Sequence, residues 1–235
     1  MAEATISPEG DTRTRLLEAG LRLFAVHGFE AVTTRRLAAE ADANIAAINY
    51  HFGGMKNLYH AVARQFVEET EPQFAPLRDG ITGGVKAAGD DRVALARLAA
   101  RWAEGMLRTF LGDARMRWRA GLVAREYAQP SDAFDILYEG RIGPMHEAVS
   151  ELVAAAVGRD SRDPETIILT HSVIGQVIVF GIARVVLWRR LDWDEQTSER
   201  LDLIVRTVTT SVVATLGLPA IEEEAPGPRA GDGKE

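Results

Sequence analysis

The sequence predicts an all-α chain, and three features carry that expectation. Apolar residues recur at helical spacing in segment after segment of the 235 residues. Residues 33–59, TTRRLAAEADANIAAINYHFGGMKNLY, read as two short helices joined by a tight turn and followed at once by a third. Two long apolar stretches, 166–188 and 194–216, close the chain. The expected organisation is a loose tail at 1–10, a three-helix helix-turn-helix domain at 11–56, a larger helical domain at 57–218 and a disordered tail at 219–235.

A first amphipathic helix is expected from Asp11 or Thr12, with Leu16, Leu17, Ala19, Leu23, Phe24 and Val26 apolar and Gly28 as its C-terminal stop. The second runs from Thr34 to about Ala41, capped by Thr33 or Thr34, with Leu37, Ala38 and Ala41 making a narrow apolar face. Asp42 and Ala43 turn the chain, and Asn44 caps the two-turn segment IAAINYHF, which is too short to stand without packing. The helical period sends Ile48 and Phe52 inward against Leu37 and Ala38. It sends Ile45, Ala46 and Asn49 outward, flanked by Ala47, Tyr50 and His51. Such a face suits a DNA major groove, where small side chains allow close approach, methyls meet thymine and Asn pairs with adenine. Arg35, Arg36, Tyr50, His51 and Lys56 surround it as phosphate partners.

The stretch from Leu16 to Val62 resembles the TetR family of one-component bacterial transcription regulators. Phe24, the exit at Gly28 and Phe29, the paired threonines, the run from Ile48 to Phe52 and the restart at Leu58 match in register. The resemblance implies that Asn49 and residues 45 to 47 face base edges while Thr34, Tyr50 and His51 touch phosphates. With Thr33, Arg35, Arg36, Asn44 and Lys56 these complete the expected DNA-binding set. Three positions depart from the family pattern: Asp42 replaces the turn glycine, Asn49 a usual aromatic, and Met55 a usual lysine, with Lys56 one place later. Asp tolerates unusual backbone angles, so the turn is expected to survive. Residues 113–157 are similar to the CecR-like branch of the family.

Met55 to about Glu71 reads as a lever helix joining head to body, with Leu58, Ala61, Val62, Gln65 and Phe66 inward. Pro72 and Pro76 break the pattern, and the Gly-rich residues 78–91 read as a loop. Within it GITGGVKAAG lacks a Ser or Thr after Lys86 and a preceding strand, so it is no phosphate-binding loop. Helices follow at 92–111 and 113–128. In the latter, Arg115, Arg117, Arg119 and Arg125 alternate with large apolar groups, which reads as partly buried stems with solvated heads. An anionic-ligand site is the other reading. Trp102, Met106, Phe110, Trp118, Phe134 and Tyr138 are either plain core or, as the resemblance implies, the lining of an effector pocket, to which Arg119 and His171 are added. Ser131 opens a helix that is expected to kink or restart at Gly143 and Pro144. The apolar stretch 166–188 is nearly long enough to span a bilayer, but His171, Gln176 and Arg184 interrupt it and mean hydropathy is −0.07, so no membrane is expected. It reads as a helix buried on its own core and on a partner chain. The resemblance implies a homodimer through the helices at 166–190 and 194–216, with Val212 on the shared surface.

The chain has no cysteine, which removes disulfides and thiolate metal sites. MAEATISPEGDTR lacks a secretory pattern, so a cytoplasmic location is expected. Residues 1–66 balance seven Lys or Arg against seven Asp or Glu, so the net charge of −7 belongs to the body. A neutral head whose cations cluster at the expected groove edge fits salt-sensitive DNA binding. HEAVSE lacks the second His of a zinc-protease helix, and no catalytic constellation, metal site or cofactor is expected. The expected function is a dimeric, ligand-responsive regulator, a repressor released from a palindromic double-stranded DNA operator by a small-molecule effector. The alternative is an all-helical small-molecule-binding or enzymatic protein whose helix-turn-helix is only structural.

Overall fold

The computed structural model describes residues 8–112 and 115–221, with side chains from Asp11 onward. The described residues form helices and no strand. The head contains α1 (Pro8–His27), α2 (Thr34–Glu40), α3 (Ile45–Phe52) and the start of α4 (Met55–Ala88). The body adds α5 (Arg92–Gly112), α6 (Met116–Ala128), α7 (Asp132–Leu137), a π-helical turn at Tyr138–Ile142, α8 (Gly143–Val157), α9 (Pro164–Ile182), α10 (Arg184–Leu191) and α11 (Ser198–Thr215). Two apolar clusters hold them. One gathers Leu16, Phe24, Leu37, Ile48, Leu58 and Phe66 of the head with Leu122 of α6 and Leu137 of α7. The other gathers Phe74 and Ile81 of α4 with Trp102, Leu107, Leu152, Val177 and Val212. Each such side chain stabilises the fold by about 1.5–3 kcal/mol on burial, so both clusters are substantial.

The main correction concerns residues 78–91, expected as a loop. The helix instead continues to Ala88, through Pro72 and Pro76. Before the first proline, Thr70 Oγ1 donates to Phe66 O at 2.7 Å and Arg141 Nη2 donates to Val67 O at 2.6 Å. These bonds brace the turn before Pro72, although the carbonyl that Pro72 leaves without its helix donor is that of Glu68, four residues earlier. Further on, Gly84 of α4 and Gly105 of α5 serve close approach, while Gly80 and Gly83 meet nothing within 4 Å. A Cβ on Gly84 would lie 2.8 Å from Leu98 Cδ1, and one on Gly105 would lie 2.4 Å from Leu77 Cδ2. Each helix therefore seats a leucine of the other in a glycine gap, and the tertiary contact overrides the local breaker signal.

Other boundaries differ less. α1 begins at Pro8 rather than at Asp11 or Thr12, so residues 8–10 of the expected tail are helical, and Gly28 ends the helix with φ +79°. The remaining tail residues 1–7 and 222–235 lie outside the described residues. The interruption at Gly143 and Pro144 takes the form of the π turn, and Pro144 falls in the first turn of α8. The stretch 166–188 is not one helix: Ala183, at φ −115° and ψ 23°, separates α9 from α10. Asp194 lies before the last helix, which Thr197 caps through its hydroxyl and the Arg200 N–H at 3.2 Å.

α9 is long and apolar enough to cross a membrane by length and composition alone. In the fold, its Thr166, Thr170, Val173 and Val177 form a buried stripe against the bundle, while Ile168 is 69% exposed. Val212, expected on the dimer surface, is fully buried in the chain's own core, and the outward side of α11 carries Leu203, Arg206, Thr207 and Thr210. Val212→Asp places an unpaired carboxylate in that core. It is expected to cost about 3 kcal/mol or more of folding stability, read from urea unfolding; a loss below about 1 kcal/mol would show that this side of α11 is not sealed.

Candidate functional site

α2 and α3 are positioned by short-range devices. Thr33 accepts from the Arg36 N–H at 3.2 Å and Asn44 accepts from the Ala46 N–H at 2.8 Å, so each short helix has a side-chain cap worth about 1 kcal/mol. Between them Asp42 takes φ +47°, the left-handed conformation expected of a glycine substitute, and Arg15 Nη2 donates to its carbonyl at 3.2 Å. After α3, Gly53 at φ +73° and Gly54 at φ +132° turn the chain into α4. Ile48 is buried beneath α3 with Leu37 and Ala38, and Phe52 packs partly buried against the same cluster. Ile45 (46% exposed), Ala46, Asn49 and Tyr50 (73% exposed) face outward, with Ala47 and His51 half-buried beside them. The outward face is the one the helical period predicts.

The surrounding polar residues are less uniform than the sequence suggests. Thr34, Arg35 and Arg36 are exposed, but Arg36 Nη2 donates to His27 Nε2 at 2.7 Å, which anchors α2 to the end of α1. Thr33 and Asn44 have their side-chain oxygens engaged as caps. Lys56 pairs with Asp132 at the start of α7, and the ammonium holds that carboxyl below its ordinary range. Arg13 stacks over the Phe52 ring at 5.4 Å, and Arg15 pairs with Asp11 at 2.9 Å, so both brace the reading unit.

In the body a partly open cavity of about 1070 Å³ lies among α4 to α9. It brings together Trp102, Met106, Phe110, Phe134, Tyr138 and His171 from the expected ligand-binding set. Trp118 and Arg119 are the correction. They line a separate space of about 140 Å³ against α1 and α4, where the buried Arg119 pairs with Glu69 and the Arg117 guanidinium lies over the Trp118 ring at 4.7 Å. The helical period of α6 turns these two toward the head and turns Met116, Ala120, Val123 and Tyr127 toward the cavity.

Several cavity groups had no sequence signal. Phe66 and Phe74 reach it from α4, and Arg141 from the π turn. Arg141 is buried and paired with Glu71 at 2.7 Å, and its guanidinium lies 4.8 Å from the Phe74 ring centre. His146 on α8 and His171 on α9 face one another with ring centres 5.9 Å apart, and Ser150 Oγ lies 3.5 Å from His146 Nδ1. Only the packing of α8 on α9 joins these histidines, which are far apart in sequence. Burial first, and then the neighbouring His171, lower the His146 pKa below its ordinary 6.5, against a smaller opposing effect of Glu147. The fold therefore holds this imidazole neutral where the unfolded chain takes up a proton. Stability is expected to be intact above pH 6.5 and to fall as the pH drops through that value toward the folded pKa. Urea unfolding between pH 7.5 and 5.5 checks it: His146→Phe should show a shallower loss than the natural chain, and parallel curves would refute the assignment.

Comparisons with known proteins agree with this geometry. The family described as bacterial regulatory proteins, tetR family, matches residues 16–62, and the C-terminal domain of the HTH-type transcriptional dual regulator CecR matches residues 96–218. CecR of Shigella flexneri is 31% identical over 200 residues, 85% of this chain and 89% of that protein. A transcriptional regulator from Rhodococcus sp. Rha1 shares the fold at TM-score 0.51 and 18% identity, covering 89% of this chain and 98% of that one. The fatty acid degradation regulator FadR from Bacillus halodurans does so at TM-score 0.51 and 11% identity, covering 85% and 93%. With the helix-turn-helix matched at one end and more than half of the chain matched at the other, the chain belongs to the TetR family of bacterial transcriptional regulators, with a C-terminal domain of the CecR kind.

Proposed function

We propose that this regulator works as a cytoplasmic homodimer that represses from a palindromic operator and is released when a small molecule enters the body cavity. The observation that carries the DNA-reading part is the outward face of α3. Ile45, Ala46 and Asn49 stand exposed on a helix whose other side is anchored by buried Ile48. In this reading Asn49 pairs with a base edge, Ile45 and Ala46 meet thymine methyls, and Thr34, Arg35, Tyr50 and His51 hold the backbone. Arg36 and Lys56 join them by exchanging His27 and Asp132 for phosphate oxygens.

The cavity supports the effector. Its walls are largely aromatic and apolar, with His146, Ser150 and His171 on α8 and α9 and charged groups such as Arg141, Glu147 and Arg162 beside them, which fits an amphipathic molecule. The dimer is supported by apolar surface that one chain leaves uncovered: Ile167, Ile168, Val179 and Ile182 on α9, and Val185 and Val186 on α10. A two-fold dimer presents its two α3 helices to successive major grooves about 34–36 Å apart, or a multiple of it, so a change in body geometry alters DNA affinity.

Two experiments test this reading. Selection from random duplexes should return a near-palindrome. Against it, Asn49→Ala is expected to lose about 1–3 kcal/mol of discrimination at one base position per half-site, while Tyr50→Phe weakens binding to all duplexes alike. Unchanged preference in Asn49→Ala would mean that α3 does not read bases with this face. For assembly, Ile168→Asp should leave the fold of one chain within about 0.5 kcal/mol of the natural protein yet shift sedimentation to the monomer and abolish tight operator binding. A dimer that survives it places the interface elsewhere.

A further inference from the structure

The two halves of the molecule meet at a buried carboxylate that the DNA-reading face and the cavity leave out of account. Glu126 on α6 is 3% exposed. Its Oε1 accepts from the Tyr59 hydroxyl of α4 at 2.5 Å, and its two oxygens accept from the Ser131 N–H at 2.9 Å and the Ser131 hydroxyl at 3.0 and 3.1 Å. Ser131 in turn caps α7, accepting from the Ala133 N–H at 3.1 Å. Tyr59 sits edge-on to Phe24 of α1, ring centres 4.8 Å apart, in the cluster that also buries Ile48 beneath α3. Burial first, and then the Glu126 hydrogen bond, raise the Tyr59 pKa, so the phenol stays a donor.

The same two helices also form part of the cavity wall. Val123 and Tyr127 of α6 and Phe134 of α7 line the cavity, within one turn of Glu126 and Ser131. Next to Glu126, Arg125 donates through Nε to Ala25 O at 2.8 Å and through Nη2 to Val26 O, which fixes α6 to the last turn of α1. A buried carboxylate stripped of its donors is costly, so a displacement of α6 or α7 draws Tyr59 along rather than parting from it.

We infer that the Tyr59–Glu126–Ser131 cluster is the latch through which occupancy of the cavity moves the reading head, with Glu126 as its positioning residue. The inference rests on the effector reading above and names the route by which that site acts. A rod-like swing of α4 alone would not need the latch, because the body end of α4 reaches the cavity directly through Phe66 and Phe74.

The test is a double-mutant cycle on operator affinity that uses a filled cavity in place of the unidentified effector. Ala120→Trp fills the cavity from α6; Tyr59→Phe removes the hydroxyl that Glu126 accepts while keeping the ring against Phe24. In the natural background the filling is expected to weaken binding to the selected operator on the order of tenfold, within the range of ordinary allosteric coupling. In the Tyr59→Phe background the loss should shrink below about threefold. Tyr59→Phe alone should leave operator affinity nearly unchanged, and a merely structural role would lower the melting temperature without changing the ratio of filled to unfilled affinity. Glu126→Gln, which keeps one acceptor oxygen and turns the other into a donor so that the Tyr59 O–H and the Ser131 N–H can no longer both be accepted, is the second break and should also reduce that ratio. Equal losses in all backgrounds overturn the latch while leaving the effector reading intact. A filled cavity without effect on the natural protein overturns the effector reading and the latch with it.

Discussion

The constraint on which the rest of the structure depends is that α4 serves two cores at once. Its 34 residues extend roughly 50 Å at the helical rise, far enough to put Leu58, Val62 and Phe66 under the helix-turn-helix and Phe74 and Ile81 in the body. The joint between halves is therefore a continuous helix rather than a linker. Its stiffness comes from the leucine-into-glycine seating of Leu98 on Gly84 and Leu77 on Gly105. A head attached in this way cannot tumble, and its orientation is a property of the body.

That explains which features were legible in the sequence. The reading unit was, because it is built from local rules: Thr33 and Asn44 cap, Asp42 turns, and Ile48 and Phe52 follow the 3.6-residue period. Residues 78–88 were not, because Pro72, Pro76 and the glycines are breakers by local propensity, and tertiary packing, such as that of Gly84 on Leu98, overrides them. The cavity was half legible. Aromatic residues at helical spacing name Trp102, Met106 and Phe110, but the sequence does not say which side of α6 faces inward, and only the structure puts Trp118 and Arg119 in a separate space. Tyr59 and Glu126, 67 residues apart, and His146 and His171 from separate helices have no common sequence signal.

The basic residues around the helix-turn-helix divide by structure into two groups. Arg13 and Arg15 spend their side chains on Phe52, Asp11 and the Asp42 carbonyl, so they hold the reading unit in shape. Arg35 stands exposed at the edge of α2, where a phosphate is the natural partner. The ion pair of Lys56 with Asp132 is exposed on both sides and worth little in water, so exchanging it for a phosphate is inexpensive. That exchange detaches α4 from α7 at the surface while Tyr59 stays bound to Glu126 beneath. On the proposed contact set, a phosphate and Asp132 compete for Lys56, whereas Tyr59 stays with Glu126.

α9 brings assembly and ligand into one element. Ile167 and Ile182 line the cavity and are also among its exposed apolar residues, while Val173 and Val177 hold the helix to the core from its other side. On the dimer proposed above, the surface of α9 that a partner covers belongs to the same helix that lines the cavity. On that reading a displacement of α9 bears on the spacing of the two heads as well as on the cavity. Two routes, one through α9 to the partner and one through Glu126 to Tyr59, then act on the same quantity, the separation and tilt of the two α3 helices. The ligand's single differential affinity for the two arrangements sets the total shift in operator binding, however it is divided between the routes.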